Sequence, residues 1–285
     1  MKSRVLVNLL LLLGIVVLAL VARYEPGIET PPEAAAITML KAADVHRIHI
    51  NRPVRDDLVL VRLSPEHWQI DSEVPLPADD LKLRALTRLA EQQPARSYPA
   101  GEMNLAELQL DPPYATAILN DTAIEFGQLE PIDRLRYVRV NDRVYLIPDS
   151  YLPLLEAGFS QFVRHRLFEQ QARIESIRLP GLAISHSDNG WAVDPQQDVG
   201  TDVIQQFVDI WQDTDAISIQ PADPGQSGEA VEIRLRNQAQ PVVFQIIARQ
   251  PELVLSRPDW GIQYRLGNRA EALLTIDAAS ADILD

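Results

Sequence analysis

A chain of 285 residues with 46% hydrophobic and 23% charged residues has the composition of a folded protein long enough for two modest domains, which excludes disorder as the default. Its 40 acidic against 26 basic residues give a formal charge of −14, a surface that repels phosphate backbones, so nucleic-acid binding is excluded as well. There is no cysteine, which removes disulfides, thiol nucleophiles and attachment of lipid to a cysteine together.

After "MKSR", residues 5–22 read "VLVNLLLLLGIVVLALVA", a run without charge whose length nearly spans a hydrocarbon core of roughly 30 Å at about 1.5 Å per residue. The run predicts a transmembrane helix. A cleaved secretory signal is the competing reading, but its exit "ALVARYEP" offers Leu20 and Ala22 where small residues are wanted at both sites. Lys2 and Arg4 precede the run and Glu25, Glu29 and Glu33 follow it, so the positive-inside rule keeps the N-terminus cytoplasmic. The expected address is therefore a bacterial inner membrane crossed once, with residues 1–23 as anchor and the bulk of the chain periplasmic. Residues 24–36, "YEPGIETPPEAAA", carry three prolines and a glycine and read as a tether.

The first module, 37–170, opens with "VHRIHI", "DLVLVRL" and "HWQID", three short alternating runs that predict a meander. "PADDLKLRALTRLAEQQP" then places Leu83, Leu86, Leu89 and Ala90 at helical spacing, with Asp79 or Asp80 as cap. Four β-rich runs follow, "YATAIL", "TAIEFG", "LRYVRV" and "RVYLIP". Asn141-Asp142 between the last two is the clearest hairpin signal, because both residue types tolerate the positive φ of tight turns. A second helical stretch, "DSYLPLLEAGFSQFVRHRLF", with Ser150 or Asp149 as cap, closes the module.

The pattern then restarts in 171–285. "IESIRLP", "LAISHS" and "GWAVD" repeat the meander, and "GTDVIQQFVDIWQD" repeats the helix with Val203, Phe207, Ile210 and Trp211 as its apolar face. "AVEIRLR", "PVVFQIIA", "ELVLS" and "GIQYRL" repeat the later strands, and "RAEALLTIDAASADILD" reads as a short helix with a frayed end. Trp-x-aliphatic-Asp occurs at the same place in both halves, as "HWQID" (67–71) and "GWAVD" (190–194), which makes each tryptophan a core residue beneath the helix that follows. The expected fold class is α+β: an N-terminal transmembrane helix, then two duplicated modules of mainly antiparallel sheet with packed helices.

The ordered set "I-x-I", "W-x-I-D", amphipathic helix, "LQLDPPYATAIL", "IEFGQ", "RYVRVNDRVYLIP" and "VRHRLF" resembles the bacterial family of domain of unknown function 4340, over roughly 37–170 and more weakly 174–277. In that family the Leu-Asp-Pro segment usually has a glycine before its leucine; here Gln109 stands there, and the second half lacks the segment. The resemblance implies a membrane-anchored protein commonly associated with ABC-type transport systems of the gliding-motility kind. It brings no catalytic residues with it.

Candidate chemistry is sparse. His46 and His49 stand three apart on a strand and so on opposite faces, a poor pair for one metal ion. His67 reads as a solvent-facing strand residue and His186 as part of a polar edge. Asp56-Asp57 and Asp79-Asp80 are better explained by turns and capping than by acid–base work or calcium. The chain has no GxSxG elbow, P-loop or GxGxxG. "RHR", residues Arg164, His165 and Arg166, is the concentrated basic spot of an acidic chain: a partner contact, or basic residues near a helix C-terminus. Trp211 reads as core, while Trp260, in "RPDWGIQY", is placed in a turn as an exposed contact.

These residues lead to an expected non-enzymatic accessory or scaffold protein, without catalytic, cofactor or metal residues. Its contacts would be Arg164, His165, Arg166 and Trp260, and its partners the membrane through residues 5–22 and proteins of a membrane complex. The alternative is a periplasmic binding module for an apolar or glycan ligand. A polar, flat face opposite the helices would favour the first reading, and a roomy apolar concavity the second.

Overall fold

The computed structural model describes residues 11–17, 35–169, 171–188, 190–267 and 270–276. The first sheet is built from β1 (Arg47–Asn51), β2 (Leu58–Ser64), β3 (His67–Ile70), β4 (Leu76–Pro77), β5 (Arg96–Pro99), β6 (Ala115–Leu119), β7 (Thr122–Leu129), β8 (Leu135–Val140) and β9 (Arg143–Pro148), in the order β4-β3-β2-β1-β6-β7-β8-β9-β5. The second contains β10 (Ile174–Leu179), β11 (Leu182–Ser187), β12 (Gly190–Asp194), β13 (Ser218–Pro221), β14 (Glu229–Leu235), β15 (Val242–Ala248), β16 (Val254–Arg257) and β17 (Ile262–Arg265), in the order β12-β11-β10-β14-β15-β16-β17-β13. Read from the meander outward, the two orders are the same except that the first sheet carries β4 beyond its third strand. Every pairing is antiparallel.

Alternation explains the strands. β6 and β8 bury every second residue, so one face of the sheet meets the main core and the other keeps half-buried residues. Val140 pairs with Arg143 across a two-residue turn in which Asn141 adopts φ +55°, the conformation the hairpin signal requires. The helices are α1 (Asp80–Thr87, continued by a 3-10 turn over Arg88–Glu91), α2 (Leu152–Glu156), α3 (Phe159–Phe162), α4 (Thr201–Asp213) and α5 (Ala270–Leu274). Asp79 caps α1, its Oδ1 accepting from the Leu81 and Lys82 amides at 3.0 and 3.3 Å, and Leu83 and Leu86 lie against the sheet. α4 buries Ile204, Phe207, Val208 and Trp211 on one stripe, while Val203 and Ile210 flank it half-buried. One apolar cluster runs through both sheets, with Phe168 from the linker edge-on to Phe244 of β15 at 5.8 Å, while Leu110, Val144 and Leu146 are buried outside it.

Several expectations are corrected. The α+β fold class with an N-terminal membrane helix gives way to mostly antiparallel β structure in two sheets with few, short helices. Within 5–22 the described residues are 11–17, helical and exposed. Among the described residues no helix is long and apolar enough to cross a membrane. The remainder of that run, the tether up to residue 34 and the tail from 277 lie outside the described residues. The stretch expected as one helix over 149–168 is two short ones, broken at Ala157-Gly158, where the backbone turns extended. Asp149 does not cap it: both of its oxygens meet the Arg136 guanidinium, at 2.5 and 3.0 Å. Trp68 is core at 3% exposure, but Trp191 is half-buried, its Nε1–H donating to Gln205 Oε1 at 2.8 Å. The sequence does not predict β4, β5 and β13, because each is only two to four residues long, too short to alternate visibly.

Candidate functional site

The segment between the sheets, 163–169, is irregular and stitches them together by backbone hydrogen bonds. Val163 bridges Ala78, and the Arg164 amide donates to Pro77 O at 2.8 Å, so this stretch closes the edge at β4. Two residues on, the Ala216 amide donates to His165 O at 2.9 Å, the Leu167 amide to Thr214 O at 3.4 Å, and Arg166 bridges Asp215, just ahead of β13. One short run therefore pairs with the end of β4 on one side and with the segment leading into β13 on the other.

The side chains follow from this placement. Arg164 reaches Asp80 at 3.3 Å at the start of α1, and Asp80 Oδ1 accepts the Trp68 amide at 3.1 Å. His165 Nδ1 lies 2.9 Å from Ala216 O, which sets that nitrogen as the one carrying hydrogen. Arg166 pairs with Asp213 at 2.7 Å and lies 3.6 Å from Asp215. Trp260 sits in the 3-10 turn Pro258–Trp260, closed by Gly261 at φ +63°, and the Arg257 guanidinium stacks 3.2 Å from its ring centroid. Arg257 is buried; its Nε donates to Asp259 at 3.3 Å, and burial lowers its pKa against the opposing pull of Asp259. Beside it the Tyr264 hydroxyl is buried without a hydrogen bond of good geometry, and burial raises its pKa to about 12 although Arg257 works against the shift.

Arg164, His165, Arg166 and Trp260, expected as outward contacts, are thus brought together at the seam, each half-buried and engaged within the chain. Between them lies a cleft of about 220 Å³, lined by Trp68, Pro77, Arg164, Arg166, Arg257 and Trp260. Each of its three arginines already faces a carboxylate, so the cleft carries little surplus positive charge for an anion, and it is smaller than common ligand pockets of about 300–1,000 Å³. Sequence reasoning missed Arg257, and its only signal was the basic residue beside "PDWG".

A second and a third concavity flank the β1–β2 loop. One, of about 720 Å³, is lined by Arg55, Asp57, Asp71, Val74, Phe159 and Trp260; the other, of about 700 Å³, by Pro53, Val54, Pro112, Pro113, Tyr114 and Leu155. His49 Nε2 lies 2.7 Å from Asp57, an exposed pair, and His67 Nδ1 lies 2.9 Å from Ser64 Oγ. His186 packs edge-on against Trp191 at 4.8 Å, and His46 is exposed. Among the described residues no group of three or more histidines and carboxylates is arranged to hold a metal.

Away from the helices the sheets carry ion pairs, and on the first sheet Leu110, Val144 and Leu146 are buried there as well. Glu125 and Arg139 pair directly across β7 and β8, Arg178 meets Glu232 across β10 and β14 at 3.3 Å, and Arg265 meets Glu252 at 2.9 Å. The family model described as Domain of unknown function (DUF4340) matches residues 68–240, from Trp68 on β3 across the seam to the turn before β15. No curated protein and no solved structure matches the chain.

Proposed function

This chain belongs to the family described as Domain of unknown function (DUF4340), and from that premise we propose that it is a non-enzymatic accessory protein that scaffolds partners of an ABC-type transport complex outside the cytoplasm. The observation that carries the reading is the exposed, ion-paired side of the second sheet. Helices and linker fill the apolar side of each sheet, and the opposite side of the second sheet presents the ion pair Arg178–Glu232 on exposed strands. A broad polar face of that kind suits protein contact better than chemistry. The test is photocrosslinking from Tyr137 and Arg234, on the sides of the two sheets away from the helices, in intact cells. Recovery of transporter subunits supports the reading, and recovery of the protein alone from both positions overturns it.

A second reading has one observation in its favour. The groove of about 700 Å³ lined by Pro53, Val54, Pro112, Pro113 and Tyr114 has the size and apolar lining of a ligand site. Titration with glycans and with apolar small molecules, read by Tyr114 chemical shifts, separates the two: saturable shifts confined to this groove favour a ligand-binding module.

A further inference from the structure

In the first sheet the third strand of the meander is shielded. β4 pairs with β3 through Gln69↔Pro77 and Ile70↔Leu76, the Ala78 amide donates to Trp68 O at 2.8 Å, and Asp80 accepts the Trp68 amide. Under that cover Trp68 is 3% and Ile70 2% exposed. In the second sheet the corresponding strand, β12, ends the sheet. The registers Arg47↔Val61↔Gln69 and Ser176↔Ser185↔Ala192 make Ala192 the counterpart of Gln69, and so Trp191 of Trp68 and Val193 of Ile70. Trp191 and Val193 are both half-exposed, and among the described residues no strand pairs with the outer side of β12. Residues 195–198, which follow it, are exposed and form no strand. The two apolar side chains, packed on the core from one side, stay half-exposed where the first sheet has its extra strand.

An open edge carries unpaired amides and carbonyls, and proteins usually guard such edges with lysine, proline or a bulge. β12 has no lysine or arginine, and none occurs anywhere from Leu179 to Ile233. Asp188, Asp194, Asp198 and Asp202 stand on the hairpin, strand, loop and helix start around it.

We propose that β12 is a docking edge that takes an extended, lysine- or arginine-flanked segment of a partner protein as an added antiparallel strand, in the place that β4 holds on the first sheet. An aliphatic side chain of that segment covers Val193 as Leu76 covers Ile70, and the flanking cations meet the surrounding aspartates. A second copy of this chain fits poorly, since the same acids would meet their own image. The proposal rests on the scaffold reading and names the partner's chemistry.

The test uses the full chain and a synthetic nonapeptide with a central leucine–proline pair and two lysines at each end. Expected are saturable binding, slowed amide exchange at Trp191 and Val193, and about tenfold weaker binding when the peptide is N-methylated at alternate residues. Val193→Pro removes the outward amide while leaving the bonds to β11 and is expected to weaken binding as strongly, with an unchanged circular dichroism spectrum. Asp194→Lys with Asp198→Lys is expected to weaken binding about threefold or more. Protection elsewhere, indifference to N-methylation, or sedimentation showing the edge closed by a second copy each overturns the proposal. Transporter subunits crosslinked to Tyr137 or Arg234 alongside a failed peptide test would remove the docking edge and leave the scaffold reading standing.

Discussion

Arg164 Nη2 stands 3.3 Å from Asp80 Oδ2, while the other oxygen of the same carboxylate accepts the Trp68 amide at 3.1 Å. One acid at the start of α1 thus ties together the linker, the helix and the third strand of the first sheet. Asp80→Ala leaves a largely buried guanidinium without its carboxylate and a strand amide without its acceptor, and should cost about 1–3 kcal/mol. Urea unfolding followed by tryptophan fluorescence checks this. Asp80→Asn, which keeps an acceptor for Trp68, should lose less.

Gly127 lies where β7 passes the Leu-Asp-Pro segment. A Cβ there would stand 2.3 Å from Leu108 O and 2.9 Å from Leu110 Cγ, and the same stretch is held by the Gln128 amide donating to Leu108 O at 2.8 Å. Gly127→Ala should therefore destabilise the first sheet by about 1–3 kcal/mol through overpacking. A lowered thermal midpoint, with exchange accelerated first at the Gln128 amide, is the expected result.

Gln109 adopts φ +55°, a left-handed conformation that glycine occupies without strain, at the position where the resembling family usually has glycine. Its side chain is exposed, so little packing is lost on its removal. Gln109→Gly should stabilise the protein by about 0.5–1 kcal/mol, net of the added freedom of the unfolded chain. A denaturant midpoint that falls would refute the assignment of strain.

Tyr264 supplies a pH dependence. Its phenol ionises at about 12 in the folded chain, raised by burial, against about 10 when unfolded. Between those values the unfolded state binds fewer protons than the native state, so stability is full below pH 10 and falls as pH rises toward 12. Hydrogen bonding to Glu156 raises Tyr114 in the same direction, and burial does so for Tyr137 and Tyr151. Urea midpoints measured from pH 9 to 11.5 should decline, and Tyr264→Phe should flatten part of that decline.

Much of the strand framework was legible because its signals are local. "LRYVRV" and "RVYLIP" alternate at period two around Asn141-Asp142 and form β8 and β9 with the turn between them. Asp79 caps α1 because the cap needs only two following amides. The edge strands escaped notice because β4, β5 and β13 are defined by their neighbours: Ser97 and Tyr98 become strand only by pairing with Tyr145 and Val144. The helical reading of 149–168 failed where Asp149 found a stronger partner in Arg136 than in any helix terminus. The seam was partly visible as "RHR" and Trp260, but not as a seam.

By itself the sequence determined that this acidic, cysteine-free chain repeats one pattern of strands and helix, because side-chain periodicity and turn chemistry act over a few residues. Tertiary structure alone decided which aspartate each arginine of 164–166 would meet, that Arg257 would stack on Trp260, and that β4 would cover Trp68 while β12 stays open beside Trp191. Those outcomes join residues far apart along the chain, and their energies exist only once burial has removed water from between them.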